Sequence, residues 1–106
     1  MIPFGEFKKI DLRIAKVLEA KEHPNADKLY VLKIDVGDEI KQIVAGVRQY
    51  YTIDEMVGKK IVIVNNLEAA VIRGEESNGM LLAAKDGDIP VILMPEKDVP
   101  AGAGIS

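Results

Sequence analysis

Apolar and polar residues alternate along the first part of the chain in a way that is typical of a strand with one buried face. Ile10, Leu12 and Ile14 alternate with charged residues, and the apolar positions change parity at Val17. A period of two indicates a strand, and a parity change within it indicates a bulge or a sharp bend. We therefore predict a long bent strand over residues 10–21.

Similar patterns predict further short strands, separated by segments rich in Gly, Pro, Asn and Asp. The predicted strands span residues 29–36, 40–45, 60–64, 80–84 and 89–94. The pattern also predicts one or two helical turns over residues 4–9. A short helical insert is expected over residues 47–57, because Thr52 and Glu55 have the spacing of a capping box and Gly58 follows. Residues 95–106 are expected to be loop-like.

These elements indicate an all-β protein of a single domain, residues 1–106, with extended terminal segments. About five main strands with frequent turns favour a small closed barrel over an open sheet. A helical insert between the third and fourth strands is typical of the five-stranded oligonucleotide/oligosaccharide-binding (OB) barrel. A fold of this kind does not define a function by itself.

The composition excludes several classes of function. The chain has no Cys and one His, so neither a disulfide framework nor a thiolate metal site is possible, and we predict no metal and no cofactor. The sequence contains no nucleophile motif that His23 could activate. We expect His23 and Asp27 to stabilise their loop by local hydrogen bonds. We therefore predict a binding module rather than an enzyme. No apolar run is long enough for a membrane span and no signal peptide is recognisable, which favours a cytoplasmic location.

The segment from Asn65 to Ala84 is the strongest candidate for recognition. It combines an Asn pair, an Arg73-Gly74 step and a polar loop, 77–80, that leads directly into an apolar strand. Asn, Arg and Ser offer donors and acceptors of different geometry, while Gly allows the backbone to approach a partner closely. The sequence therefore predicts a recognition surface where this strand begins.

Two motifs in fixed order make the whole chain resemble the EMAP-II-like tRNA-binding domain. The first is Asp11-Leu12-Arg13 followed by the run from His23 to Tyr30. The second is Asn66-Leu67, then Arg73-Gly74, then Ser77 to Ala84. Phe4-x-x-Phe7-Lys8-Lys9 resembles in particular the branch formed by the C-terminal domain, or beta subunit, of methionyl-tRNA synthetase. The resemblance implies an OB barrel, a homodimer, and tRNA binding without sequence specificity that assists a synthetase.

The resemblance and the residue types together predict which side chains contact RNA. Phosphate contacts are expected from Lys and Arg, with Arg13 and Lys41 as further candidates, and sugar or base contacts from Asn and Ser. Met80 is expected either on a base or in the core, and Tyr50 and Tyr51 beside the groove. The predicted RNA-binding residues are Lys28, Lys33, Arg48, Asn66, Arg73, Ser77, Asn78 and Met80. The predicted dimer interface contains Phe4, Phe7, Val99, Pro100 and Ala101.

The charge balance predicts modest binding. The formal net charge is −3, and Glu68-Ala69-Ala70 stands where many relatives are basic after Asn-Leu. We therefore expect modest affinity with a steep salt dependence. The alternative function is a free-standing chaperone or scaffold that binds proteins on the same barrel.

Overall fold

A computed structural model describes all residues from 1 to 106. Nine strands and two one-turn helices follow one another along the chain. In order they are α1 (Phe4–Phe7), β1 (Leu12–Glu22), β2 (Tyr30–Asp35), β3 (Ile40–Ala45), α2 (Ile53–Met56), β4 (Lys60–Val64), β5 (Ala70–Ile72), β6 (Glu75–Ser77), β7 (Met80–Leu81), β8 (Ala83–Asp86) and β9 (Ile89–Ile92). Neither helix is long and apolar enough to cross a membrane.

The main sheet has five antiparallel strands in the order β3-β2-β1-β4-β7. The first half of β1 pairs with β4 and the second half pairs with β2, and the register shifts between Val17 and Glu19. A bulge bends its strand and increases the local twist, so β1 turns a barrel corner at this point. The bend predicted in the first strand is confirmed, as is the small barrel of the OB type.

The core lies inside the curled sheet and is almost entirely aliphatic. Tyr30, Leu32 and Ile34 of β2 and Val36 directly after it are buried on one side, as their alternation predicts. Other members come from β1, β3, the turn after β3, α2, β4 and β9 and include Val17, Ile43, Val47, Met56, Ile61, Ile63 and Ile92. Burying each side chain of this size stabilises the fold by about 1.5–3 kcal/mol.

The insert between β3 and β4 is shorter than its pattern predicts. Thr52 accepts a hydrogen bond from the backbone of Glu55, and the Glu55 carboxylate accepts one from the backbone of Thr52. The capping box is therefore confirmed, but only residues 53–56 are helical. The chain before Thr52 forms a turn instead, in which the amides of Tyr50 and Tyr51 both donate to the carbonyl of Val47.

Two parts of the second half differ from the prediction. The segment 70–77, where no strand was predicted, forms a hairpin, β5–β6. The predicted strand 80–84 is divided at Leu82, whose amide donates to Val62 of β4 and whose carbonyl accepts from Leu93. The chain thus leaves one sheet and enters the hairpin β8–β9 at Leu82.

The C-terminal tail runs along β1. Its carbonyls and amides bond to Ile14 and Leu12, and Arg13 forms a bridge with Gly104. The segment is loop-like, as predicted, but most of residues 99–105 is partly buried against the barrel.

Candidate nucleic-acid interface

The loop after β1 and the tip of the β5–β6 hairpin are in direct contact. Nε2 of His23 lies 2.9 Å from the carbonyl oxygen of Ile72, and the backbone amide of Asn25 donates to Nδ1 of His23 at 2.9 Å. The Asn25 side chain donates to the carbonyl of Arg73 at 3.2 Å, and the Arg73 guanidinium donates to the carbonyl of Asn25 at 3.0 Å. The two motifs singled out in the sequence therefore form one surface.

The hairpin tip has the backbone of a tight turn with two left-handed residues. Arg73 has φ +53 and Gly74 has φ +93. Positive φ at both central positions is typical of the two-residue hairpin turn that usually contains Asn-Gly or Gly-Gly. Arg73 is the only residue other than Gly with positive φ in the chain. The sequence therefore places a long cation at the tip in an unfavourable backbone conformation.

A groove of about 420 Å³ lies beside this contact, between Arg73 and residues 26–29 of the loop after β1. Its lining consists of Ala26, Asp27, Lys28, Leu29 and Arg73. Lys28 and Arg73 are exposed, so their charges face solvent on the two walls of one groove. Cations placed in this way attract a phosphate chain by releasing its counterions.

A polar strip along β3 continues from the hairpin. The side chain of Gln42 donates to the main-chain carbonyl of Glu76 at 2.9 Å, and the main-chain carbonyl of Gln42 accepts from the backbone amide of Asn78 at 2.9 Å. Lys33 lies opposite Gln42 on the neighbouring strand β2 and is exposed. Asn78 is half-buried, and its side chain has no hydrogen bond within the protein. Gln42 belongs to this strip, although its sequence position carried no recognisable signal.

Besides Arg73, three of the predicted RNA-binding residues have polar groups that already bind protein atoms. Ser77 is 4 % exposed, and its hydroxyl accepts from the amide of Val44 and donates to the carbonyl of Gly79. The Asn66 side chain holds the backbone of Asp11 and Lys9, at 2.8 and 2.7 Å.

Arg48 is the third. Its guanidinium pairs with Glu22 and donates to the carbonyl of Ala26 at 3.2 Å. It also reaches the carbonyl of His23 at 3.5 Å. Arg48 therefore stabilises the loop after β1 by binding main-chain carbonyls of this loop. RNA binding by Arg48, Ser77 and Asn66 stays a prediction.

Arg13 and Lys41 belong to a network around Asp11. Arg13 binds the carboxylates of Asp11 and Asp38 at 3.0 Å each. Lys41 donates to the carbonyl of Asn65 at 2.8 Å, and the Asn65 side chain donates to Asp11 at 2.9 Å. These bonds from Asn65 and Arg13 hold the pKa of Asp11 below its ordinary value, and the Asp11 carboxylate raises the pKa of Arg13. Both cations serve the fold in this structure.

Met80 and Tyr50 are exposed, whereas Tyr51 is partly buried. Met80 is 46 % exposed beside Val64, so it is not a core residue. Tyr51 packs against the core, and its hydroxyl donates to the carbonyl of Pro90 and accepts from the amide of Ile92. Tyr51 therefore lies at β9 and not beside the groove, whereas Tyr50 is exposed.

The predicted dimer residues fall on two separate surfaces. Phe4, Phe7 and Ile10 line an apolar recess of about 210 Å³ together with Lys8, Ile105 and Ser106. Phe4 is 72 % exposed. Val99 accepts a hydrogen bond from Lys60 at its carbonyl, and the following residues continue into the tail along β1. Only the recess is both apolar and open.

The curled sheet with its short insert defines an OB-like barrel. The basic groove at one end of this barrel lies between the loop after β1 and a hairpin beyond β4. Among barrels of this type, binding surfaces are formed by the loops at such positions and the face of the second and third strands. The class defined by fold and site is therefore an oligonucleotide-binding module.

The chain belongs to the family described as "Putative tRNA binding domain", whose profile matches residues 12–104. It is 54 % identical over 104 residues to a methionine–tRNA ligase of Pyrococcus furiosus, a match that covers 98 % of this chain and 14 % of the ligase. The chain is therefore related to methionyl-tRNA synthetases and spans about a seventh of the length of these relatives.

Solved structures show the same fold. A MetRS-related protein from Pyrococcus horikoshii superposes with a TM-score of 0.89 at 30 % identity, covering 100 % of this chain and 98 % of that one. A CsaA chaperone from Picrophilus torridus superposes with a TM-score of 0.92 at 33 % identity, covering 100 % of both chains.

Proposed function

We propose that this chain binds tRNA without sequence specificity and forms a homodimer that assists methionyl-tRNA synthetase, either as part of it or as a subunit. On this proposal the domain is not catalytic by itself and acts in the cytoplasm. The observation that carries the proposal is the pair Lys28 and Arg73 on opposite walls of one groove, in a member of a tRNA-binding family. A fixed pair of cations selects for backbone charge and shape rather than for base sequence.

The strip beside the groove supplies the remaining contacts in this proposal. Lys33 adds a charge, the Asn78 amide reaches a ribose hydroxyl or a base edge, and exposed Met80 packs on a base or ribose. Only a few cations face this surface, Glu76 lies on the hairpin, and Glu68 lies on the segment that leads into it. Affinity is therefore modest and depends strongly on salt.

Dimerisation strengthens such binding by presenting two grooves to one folded RNA. The open apolar recess of Phe4 and Phe7 supports the terminal segments as the contact between copies, because exposed apolar patches on small domains mark interaction sites. Val99, Pro100 and Ala101 extend the same proposal to the tail.

A second function is supported by the similarity to CsaA chaperones. On this alternative the barrel binds polypeptide. The outward residues of β9 and its continuation, Ile89, Val91 and Leu93, are all more than 40 % exposed and give this alternative an apolar surface.

Titration with bulk tRNA at several salt concentrations distinguishes the two functions. For the tRNA proposal, log affinity should fall linearly with log salt, and Arg73→Asn should reduce the slope by about 0.7–0.9, the effect of one phosphate contact. Asn tolerates the left-handed conformation of position 73, so this change removes the charge and preserves the turn.

Lys97→Ala is the matched control. Lys97 is exposed and follows β9, next to Asp98, which pairs with Lys60. Lys60 pairs with Lys16 of β1. Lys16 lies six residues, or about 20 Å, before Glu22, where β1 leads into the loop that lines the groove. The control should leave the slope unchanged. Absence of tRNA binding at low salt, or equal effects of both variants, would refute the proposal. Binding of an unfolded polypeptide without tRNA binding would support the chaperone function.

A further inference from the structure

His23 links the two walls of the groove through a defined tautomer. Its side chain is buried, with 2 % exposed. Because Nδ1 accepts a hydrogen bond from the Asn25 amide, the ring proton lies on Nε2, which then donates to the carbonyl of Ile72. One ring therefore closes the turn of its own loop and holds the opposite hairpin.

Asn25, two residues after His23, forms a second link between the loop and the hairpin. Its side chain and Arg73 exchange hydrogen bonds, each donating to the other's main-chain carbonyl. Only one nitrogen of the Arg73 guanidinium is used in this contact. An Arg side chain has five N–H donors, so the remaining ones are free to bind a phosphate.

The hairpin needs such support. Its base is bonded to β3 through Glu76 and Ser77. Its two strands have only three residues each, and a two-stranded hairpin is marginally stable by itself, so the tip depends on the contacts with the loop after β1. The left-handed backbone at Arg73 destabilises the tip further. Without links to the loop, Arg73 would sample many positions relative to Lys28, and RNA binding would have to order it.

We propose that His23 and Asn25 are positioning residues that hold Arg73 opposite Lys28 in a geometry ready for phosphate. This inference rests on the proposed tRNA binding and assigns to both residues a role that their local turn chemistry does not require. Fixing a contact before binding removes the entropic cost of ordering it on binding.

Two substitutions separate the functions of the imidazole ring. Asn at position 23 places an oxygen near Nδ1 and keeps the bond from the Asn25 amide, but it is too short to reach Ile72. Gln places an amide nitrogen near Nε2 and keeps the bond to Ile72. We expect His23→Gln to bind tRNA within about twofold of the unchanged protein, and His23→Asn to bind several-fold more weakly.

A double-variant cycle tests whether the loss operates through Arg73. If His23 acts by positioning Arg73, the double variant His23→Asn/Arg73→Asn should bind no more weakly than Arg73→Asn alone. Additive losses would refute the inference, as would equal weakening by His23→Gln and His23→Asn.

Asn25→Ala covers the case in which changes at the buried position 23 unfold the chain. Asn25 is exposed, and this substitution removes only the side-chain bond to the Arg73 carbonyl. It should weaken tRNA binding about two- to threefold, with no further loss in the Arg73→Asn background, whereas an additive loss there would refute the link.

The nitrogen NMR signals of the imidazole ring test the bridge in the absence of RNA. We expect the Nε2–H tautomer, and an Nδ1–H tautomer would exclude the arrangement. If the unchanged protein binds no tRNA, the proposed function fails. If it binds and Arg73→Asn weakens it, but neither His23 nor Asn25 is coupled to Arg73, only the positioning role fails.

Discussion

The backbone of Gly102 lies directly against the backbone of Gly37, with no room for a side chain at either position. A Cβ atom added to Gly102 would be 2.7 Å from the Cα of Gly37, and one added to Gly37 would be 2.8 Å from the Cα of Gly102. Both residues also have positive φ. The C-terminal tail is therefore held against the turn between β2 and β3 by a contact that only Gly can form.

Gly102→Ala should lower the free energy of unfolding by about 2–4 kcal/mol. About 1–2 kcal/mol comes from the left-handed backbone and the rest from the clash with Gly37. Chemical denaturation measures the change. Gly58→Ala, at positive φ but with open space around it, should show only the backbone part. Gly104→Ala, in open space without positive φ, should change little. Equal effects at all three positions would contradict this account.

Regular alternation made the strands of the main sheet predictable. The predicted bounds of 40–45 and 60–64 agree with β3 and β4, because apolar residues there face one core and turn residues flank each run. The parity change at Val17 also located the bulge correctly. These signals are local, so a single sequence contains them.

The β5–β6 hairpin escaped prediction because its signals are weak. Its strands are short and largely exposed, and its turn has Arg73 where Asn or Gly is the usual signal. The contacts that join the hairpin to the loop after β1 could not be predicted either. Their acceptors are the main-chain carbonyls of Ile72, Asn25 and Arg73, and every residue type has such a carbonyl.

The same limitation applies to polar residues whose partners are distant in sequence. Asn66 and Ser77 have the side-chain chemistry of RNA contacts, yet their hydrogen bonds fix the N-terminal segment and β3. Only three-dimensional contacts distinguish a side chain that is free to bind a ligand from one that stabilises the fold.

Asp11→Asn should destabilise the protein at neutral pH by about 1 kcal/mol. The Asp11 carboxylate accepts from Asn65 and Arg13, and these bonds lower its pKa in the folded state. A lowered pKa means that the charged form stabilises the fold above the unfolded-state pKa of about 3.9, and that this contribution is lost as pH falls through the folded-state value. The difference between variant and unchanged protein should therefore shrink below about pH 4.

Urea denaturation at pH 7 and near pH 2.5 measures this effect of Asp11. Asp88→Asn is the control, because Asp88 is exposed in the turn after β8 and has no hydrogen bond or ion pair. A destabilisation of the Asp11 variant that is equal at both pH values would contradict an electrostatic origin.

Glu68→Lys should increase tRNA affinity several-fold at low salt and steepen the salt dependence by up to one phosphate contact. Glu68 is exposed just after Asn66-Leu67, on the segment that leads into the hairpin. Reversing this charge removes repulsion and adds a cation five residues before Arg73, on the segment that leads to the groove. Filter binding at several salt concentrations measures the gain.

Glu96→Lys makes the same charge change elsewhere. Glu96 is exposed and lines a separate pocket with Lys97 and with Lys60 at the start of β4, and none of its lining residues belongs to the groove. Its substitution should raise affinity much less than Glu68→Lys, because only the net charge changes. Equal gains from the two variants would show that overall charge, and not the rim of this groove, limits binding.

Phe4→Ser should convert the proposed dimer into a monomer without unfolding it. Phe4 is 72 % exposed within one copy of the chain, so removing its ring costs the isolated barrel little, whereas a contact between copies would lose a large apolar anchor. Light scattering at micromolar concentration measures the mass, and thermal unfolding tests whether the variant is folded.

Val71→Ser is the control, since Val71 is 74 % exposed but lies on the β5–β6 hairpin, away from the recess of Phe4 and Phe7. A dimer that persists in Phe4→Ser and is lost in Val71→Ser would place the contact on the hairpin, and a monomeric unchanged protein would exclude homodimerisation altogether.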